Sequence, residues 1–121
     1  MKKVLIVDDN LALGAFIKAM LETETGWQVD TASNGEAGYL AFLRFDPDVI
    51  VTDIEMPLKN GLEMMRNIRT HQPKIKVIYM TGDLKRYWNA LEEEKKKYGA
   101  DFIDKPFIFS TLKRLVKKTE L

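Results

Sequence analysis

Residues 4–10, VLIVDDN, run four apolar positions (Val4, Leu5, Ile6, Val7) straight into the adjacent aspartates Asp8 and Asp9. A continuous apolar run of this length, rich in β-branched residues, reads as a strand buried on both faces. Ending such a strand in two like charges is costly unless the charges have partners. Two further runs of the same kind, VIVT (49–52) and KVIYM (76–80), lie downstream. WQVDTA (27–32) and DFID (101–104) are weaker strand candidates.

Between these runs the apolar period changes to that of helices. Leu13, Phe16, Ile17, Met20 and Leu21 follow i, i+3, i+4, i+7, i+8 spacing on one face. Ala37, Leu40 and Ala41 start a second helix, with Ser33 and Glu36 spaced as a capping box. Leu62, Met65 and Ile68 mark a third after Asn60-Gly61. Leu84, Trp88, Leu91 and Tyr98 form a sparse fourth stripe, and Ile108, Leu112, Leu115 and Val116 a fifth. Strands alternating with helices imply βαβ units with right-handed crossovers. The expected fold class is α/β, a doubly wound parallel sheet of five strands with five helices covering both faces.

At 121 residues the chain is the size of one domain, 1–121, with no repeat or linker. A net charge of +1 gives no global field for nucleic acid, and no helix-turn-helix or basic stripe is present. The absence of cysteine excludes disulfides and thiolate metal sites, and fits a reducing compartment. No run approaches the roughly 20 apolar residues of a membrane span, and the N-terminus does not read as a signal peptide. The expected location is therefore cytoplasmic, with no membrane contact.

Doubly wound sheets bind ligands at the carboxyl ends of their strands. Those ends carry Asp8-Asp9, Asp53, Thr81 and Asp104-Lys105-Pro106. Two unit charges 5 Å apart at an effective dielectric near 20 repel by about 3 kcal/mol. Three converging carboxylates therefore call for cations. Lys105 supplies one charge, and hard oxygen ligands without His or Cys favour Mg²⁺, with Mn²⁺ as the alternative. A carboxylate beside such an ion is suited to attack an activated phosphoryl group, with the metal, a lysine and a hydroxyl neutralising its oxygens.

VLIVDDN, VIVTDIEMPLKNG, VIYMTGD and FIDKPF together resemble, in order and spacing, the motifs of two-component response regulator receiver domains, including chemotaxis-regulator-like ones. The resemblance implies a flavodoxin-like strand order 2-1-3-4-5 and a phosphorelay role in signal transduction. By the same resemblance Asp53 is the phosphoacceptor, receiving the phosphoryl group from a histidine kinase or phosphotransfer protein. Asp9 and Asp53 ligate Mg²⁺, Asp8 acts mostly through water, and the backbone carbonyl of Glu55 completes the site. Thr81 and Lys105 hold the phosphoryl oxygens, Lys105–Pro106 is a cis bond, and Thr81 and Phe102 form the switch. The output is an effector domain, a partner, or a homodimer through the fourth helix, fifth strand and fifth helix. The chain's own chemistry is limited to phosphorylation and dephosphorylation of itself.

Several positions depart from the family pattern. Thr81 and Lys105 are 24 residues apart (105 − 81), so the fourth helix is extended or starts late. Its apolar stripe is thin, making it the least firmly packed helix and a candidate moving element. Phe102 lacks the hydroxyl of the commoner tyrosine. Gly38 stands where alanine is usual, and close helix–sheet packing is the expected reason. Glu55 and Asp83 flank the site where they bear on how water reaches the acyl phosphate.

Each residue also has a plainer reading. Asp8-Asp9 alone reads as a turn and helix N-cap, and Asp9 can combine both jobs. Thr81 reads as a turn residue, Lys105 as a solvated loop lysine, and Phe102 as core. The run EEEKKK (92–97) reads as a solvated face with pairs such as Glu92–Lys96. His71 reads as a surface residue, and Trp27 and Trp88 as packing residues. Two other functional classes stand beside the switch: a Mg²⁺-dependent phosphohydrolase of the haloacid dehalogenase type, with Glu55 as acid/base, and an interaction module with the fold but no phosphorylation.

Overall fold

Residues 2–118 are described by the computed structural model. The chain alternates β1 (Lys3–Val7), α1 (Leu11–Thr25), β2 (Gln28–Ala32), α2 (Gly35–Phe45), β3 (Val49–Asp53), α3 (Gly61–Arg69), β4 (Lys76–Thr81), α4 (Leu84–Tyr98), β5 (Asp101–Asp104) and α5 (Phe109–Lys117). The five strands form one parallel sheet in the order β2-β1-β3-β4-β5. The order reverses direction between β1 and β3, which places a crevice beyond their carboxyl ends.

The period-2 alternation of strand side chains divides the core in two. Leu5, Val7, Ile50, Val77 and Tyr79 face α2, α3 and α4, where they meet Phe42, Met64, Met65, Ile68 and Leu91. Val4, Ile6, Val49, Val51, Ile78 and Met80 face α1 and α5, where they meet Ile17, Leu21, Leu112 and Val116. Both faces of β1, β3 and β4 are therefore buried, as their uninterrupted apolar runs require.

β3 and β4 each include the residue after their apolar run, so Asp53 and Thr81 are the last residues of their strands, as expected. The helix starts differ. Asn10, not Asp9, caps α1, its side chain accepting from the Leu13 N–H at 3.1 Å. Asn34, not Ser33, caps α2, accepting from Ala37 N–H at 2.8 Å. Glu36 thus falls one position short of the capping-box place, and the box is formed instead at α3 by Asn60 and Glu63. Phe16, Leu40, Trp88, Tyr98 and Ile108, assigned to helical stripes, are exposed; Ile108 precedes α5 as its N-cap.

α2 approaches the sheet closely at Gly38. A Cβ there would lie 3.1 Å from both Val7 methyls and collide with the sulfur of Met64. The expected reason for this glycine is therefore present in the packing. α4 buries one side chain fully, Leu91, in keeping with its thin stripe.

Candidate functional site

The carboxyl ends of β1, β3, β4 and β5 meet at one edge of the sheet. Parallel register sets Val7 beside Thr52, Asp53 beside Met80, and Thr81 beside Asp104. The side chains that follow the last apolar residues therefore project into one space. Carboxylate oxygens of Asp8, Asp9 and Asp53 all lie within 4.8 Å of one another. Asp8 and Asp53 are buried and Asp9 is exposed, so the cluster is open to solvent on one side.

Asp8 is the most constrained of the three. One oxygen accepts the Asn10 N–H at 2.9 Å, and the other accepts Lys105 Nζ at 2.9 Å. Asp53 Oδ2 lies 3.4 Å from the same ammonium. Lys105 is held by its backbone, whose N–H donates to the Thr81 carbonyl at 2.8 Å, and the bond to Pro106 is cis. The Thr81 hydroxyl oxygen accepts the Asp83 N–H at 2.9 Å, leaving its own proton to be donated elsewhere.

Burial raises the Asp53 carboxyl pKa to about 6; the Lys105 charge opposes this and the Asp8 charge adds to it. Burial works against the Lys105 ammonium, but its hydrogen bond to Asp8 and the charges of Asp8 and Asp53 outweigh that and raise its pKa. Asp53 is thus a carboxylate whose charge is incompletely balanced by one lysine. Three hard oxygen donors around an excess of negative charge fit a divalent cation of the Mg²⁺ class.

The loop after β3 is tied down around Asp53. The Ile54 N–H donates to Met80 O at 3.1 Å and the Gly61 N–H to Ile54 O at 2.9 Å. A side chain at Gly61 would strike the Asp53 carbonyl, so the start of α3 can close on the strand end only with glycine there. A hollow of about 420 Å³ opens between Asp9, Glu55, Met56, Pro57, Asn60 and Tyr87. The Glu55 side chain is half exposed and faces Arg86 of α4 at 3.7 Å. Burial, then the charge of Glu55, raises the Tyr87 phenol pKa. Phe102 is partly buried on β5 and meets Trp88 edge-on, ring centres 5.7 Å apart.

Asp8, Asp9, Asp53 and Lys105 are therefore brought together, and Thr81 stands at the adjoining strand end. Glu94 is what the sequence reading missed. It is not on a solvated face: its Oε1 accepts the Tyr79 hydroxyl at 2.6 Å and lies 3.3 Å from Arg69 Nη2. Its spacing from Leu91 and Tyr98 on one helix face, and a tyrosine hydroxyl inside an otherwise apolar strand, were the available signals. His71 is exposed as expected, although its Nε2 is 2.6 Å from the Tyr39 hydroxyl.

A doubly wound sheet with this acidic cluster and lysine at its switch point is the architecture of response regulator receiver domains. The chain belongs to that family, whose model, described as response regulator receiver domain, matches residues 4–117. CcdB of Bacillus subtilis is 36% identical over 107 residues, covering 88% of each protein. A protein-glutamate methylesterase/protein-glutamine glutaminase of Rhodospirillum rubrum is 38% identical, but the chain spans only 28% of its length. The crystal structure of the response regulator TrrA of Thermotoga maritima, in complex with Mg²⁺–BeF, superposes with a TM-score of 0.83 at 34% identity, covering 98% of this chain and 99% of that one. Among the described residues no helix is long and apolar enough to cross a membrane.

Proposed function

We propose that residues 1–121 form one receiver domain that accepts a phosphoryl group on Asp53 from the phosphohistidine of a histidine kinase or phosphotransfer protein. An Asp53 oxygen forms the bond to phosphorus as the donor's N–P bond breaks, and the imidazole leaves with the electron pair. The observation that carries this reading is the gathering of the Asp8, Asp9 and Asp53 oxygens within 4.8 Å, with Lys105 3.4 Å from Asp53.

Asp8, Asp9, Asp53 and the Glu55 backbone carbonyl would hold Mg²⁺, or Mn²⁺ in its place. When bound, the ion supplies charge neutralisation of the transferring oxygens. Lys105 would neutralise a second oxygen, moving its ammonium from Asp53 to the phosphoryl group. Thr81 would donate its hydroxyl proton to a third. The displacement of Thr81 toward Asp53 would then alter the packing of Phe102 and Trp88, biasing a two-state equilibrium of α4, β5 and α5. That face would bind an effector domain, another protein or a second copy of the chain, in the cytoplasm, with neither nucleic acid nor membrane as a direct ligand. Beyond gaining and losing its own phosphoryl group, the domain would catalyse no reaction.

The test is incubation with Mg²⁺ and acetyl phosphate, read by intact mass, with beryllofluoride titrations followed by amide spectra. A single phosphoryl adduct, lost in Asp53→Asn, is expected. Rapid turnover of varied phosphate esters would favour the hydrolase instead. No adduct, no Mg²⁺ binding and no spectral change would leave only an interaction module.

A further inference from the structure

Behind the site, a second polar cluster joins β4, α3 and α4, and the phosphoryl chemistry does not use it. Tyr79 is wholly buried on β4, and its hydroxyl donates to Glu94 Oε1 at 2.6 Å. Arg69, at the end of α3 and only 8% exposed, reaches the same oxygen at 3.3 Å. Its guanidinium stacks 3.8 Å from the centre of the Tyr98 ring. Among the described residues, Arg69 Nε and Nη1 find no acceptor, so Glu94 is its one hydrogen-bonding partner. A single carboxylate on α4 thus serves buried donors from two other elements, next to Leu91, the helix's one fully buried side chain.

The other half of the same helix is held differently. No residue from 84 to 90 is fully buried, although Leu84 and Tyr87 pack, partly buried, against the core. Trp88 is 46% exposed and touches Phe102 only edge-on. The Arg86–Glu55 pair is 3.7 Å apart and largely in water, where such pairs contribute little. The N-cap hydrogen bond from Arg86 N–H to Asp83 is long, at 3.3 Å. α4 is therefore held by Leu91 and a buried polar cluster in its second half, and only by partly buried side chains in the half that follows Thr81.

We propose that Glu94, clamped by Tyr79 and Arg69, is the pivot about which α4 moves when Asp53 is loaded. Residues 84–90 swing with Thr81, while 91–98 stay fixed to the sheet and α3. Tyr79, Arg69 and Glu94 are positioning residues: they touch no phosphoryl oxygen, and they set which part of the helix responds. The inference rests on the phosphoacceptor reading of Asp53.

The experiment is amide spectroscopy and hydrogen exchange with and without Mg²⁺ and beryllofluoride, on the native chain, Tyr79→Phe, Glu94→Ala and Glu94→Gln. In the native chain, shifts are expected at Asp53, Thr81, Lys105 and 84–90, with 91–98 unchanged. Tyr79→Phe removes only the hydroxyl, and should lower exchange protection of 94–98 by about tenfold, the effect of one hydrogen bond. The beryllofluoride shifts should then spread into the second half of the helix. Glu94→Ala should do so further, and Glu94→Gln, which keeps an acceptor for Tyr79, less. If Glu94→Ala fails to fold, Tyr79→Phe decides alone. Equal native shifts across 84–98, or an unaltered pattern in Tyr79→Phe, overturn the pivot while leaving the phosphoacceptor intact. Absence of any response at Asp53, Thr81 and Lys105 overturns the phosphoacceptor reading and the pivot with it.

Discussion

Lys105 and Asp8, 97 residues apart in sequence, close to 2.9 Å across the carboxyl edge of the sheet. The Asp8 side chain is 0% exposed and the Lys105 side chain 21%, so the pair is dry on one side and wetted on the other. Removing one member of a buried pair leaves the other charge uncompensated, which costs more than the pair itself contributes.

Lys105→Ala should therefore destabilise the apo chain by about 2–3 kcal/mol near pH 7, below the 3–5 kcal/mol of a fully buried pair because Lys105 is partly solvated. Urea unfolding with and without Mg²⁺ checks this. Millimolar Mg²⁺ should restore part of the loss, since a cation bound only by the folded state stabilises it by mass action. Destabilisation under about 0.5 kcal/mol would show that water already screens Asp8.

Asp8 and Asp9 should separate cleanly on substitution. Asp9 is exposed and does not cap α1, because Asn10 does. Asp9→Ala should leave apo stability within about 0.5 kcal/mol, or raise it by relieving repulsion. Asp8→Ala loses the acceptor of both Asn10 N–H and Lys105, and should cost about 1–3 kcal/mol. Both should weaken Mg²⁺ binding at least about tenfold, the lower bound for losing even an outer partner of a metal site. Calorimetric Mg²⁺ titration and urea midpoints, run on the same samples, distinguish the two variants.

Gly38→Ala tests the close approach of α2 to the sheet. Helix propensity alone predicts a gain of roughly 0.5–1 kcal/mol. The added methyl would meet Val7 at 3.1 Å and the Met64 sulfur more closely still. Overpacking of this kind costs about 1–3 kcal/mol, and exceeds the propensity gain because the neighbours belong to a β-strand and a second helix. A lower thermal midpoint is expected, and Met64→Ala in the same chain should turn the effect to neutral or stabilising.

The strand-end residues were legible because each sits at a fixed offset from an apolar run, and parallel pairing converts that offset into proximity. Asp53 and Lys105 needed no side-chain information to be placed at one edge. Helix caps were not legible in the same way. Ser33 and Asn34 are both good caps, and the choice was made by backbone geometry, with Asn34 extended at φ −165°. Asp9 and Asn10 present the same ambiguity. Glu94 was hidden for another reason: its partners lie 15 and 25 residues earlier in the chain, and its neighbours in EEEKKK are solvent-facing. Phe16, Leu40 and Ile108 show that an apolar residue in phase with a stripe can lie beyond the reach of the core.

The pKa of Asp53 gives a pH dependence whose sign is fixed. It lies near 6 in the folded chain, against 3.8 for an ordinary aspartate. Between these values the folded state binds more protons than the unfolded one, so stability falls as pH rises through the window and levels off above it. Asp53→Asn cannot titrate. Its stability relative to the native chain should therefore climb from pH 4 to pH 6 and stay constant from 6 to 8, as read from urea midpoints of both proteins. Because a metal must compete with that proton, Mg²⁺ affinity should be flat above about pH 6.5 and fall by up to tenfold per pH unit below 6. A Mg²⁺ affinity unchanged down to pH 5 would mean that Lys105 holds Asp53 ionised, against the burial that raises its pKa.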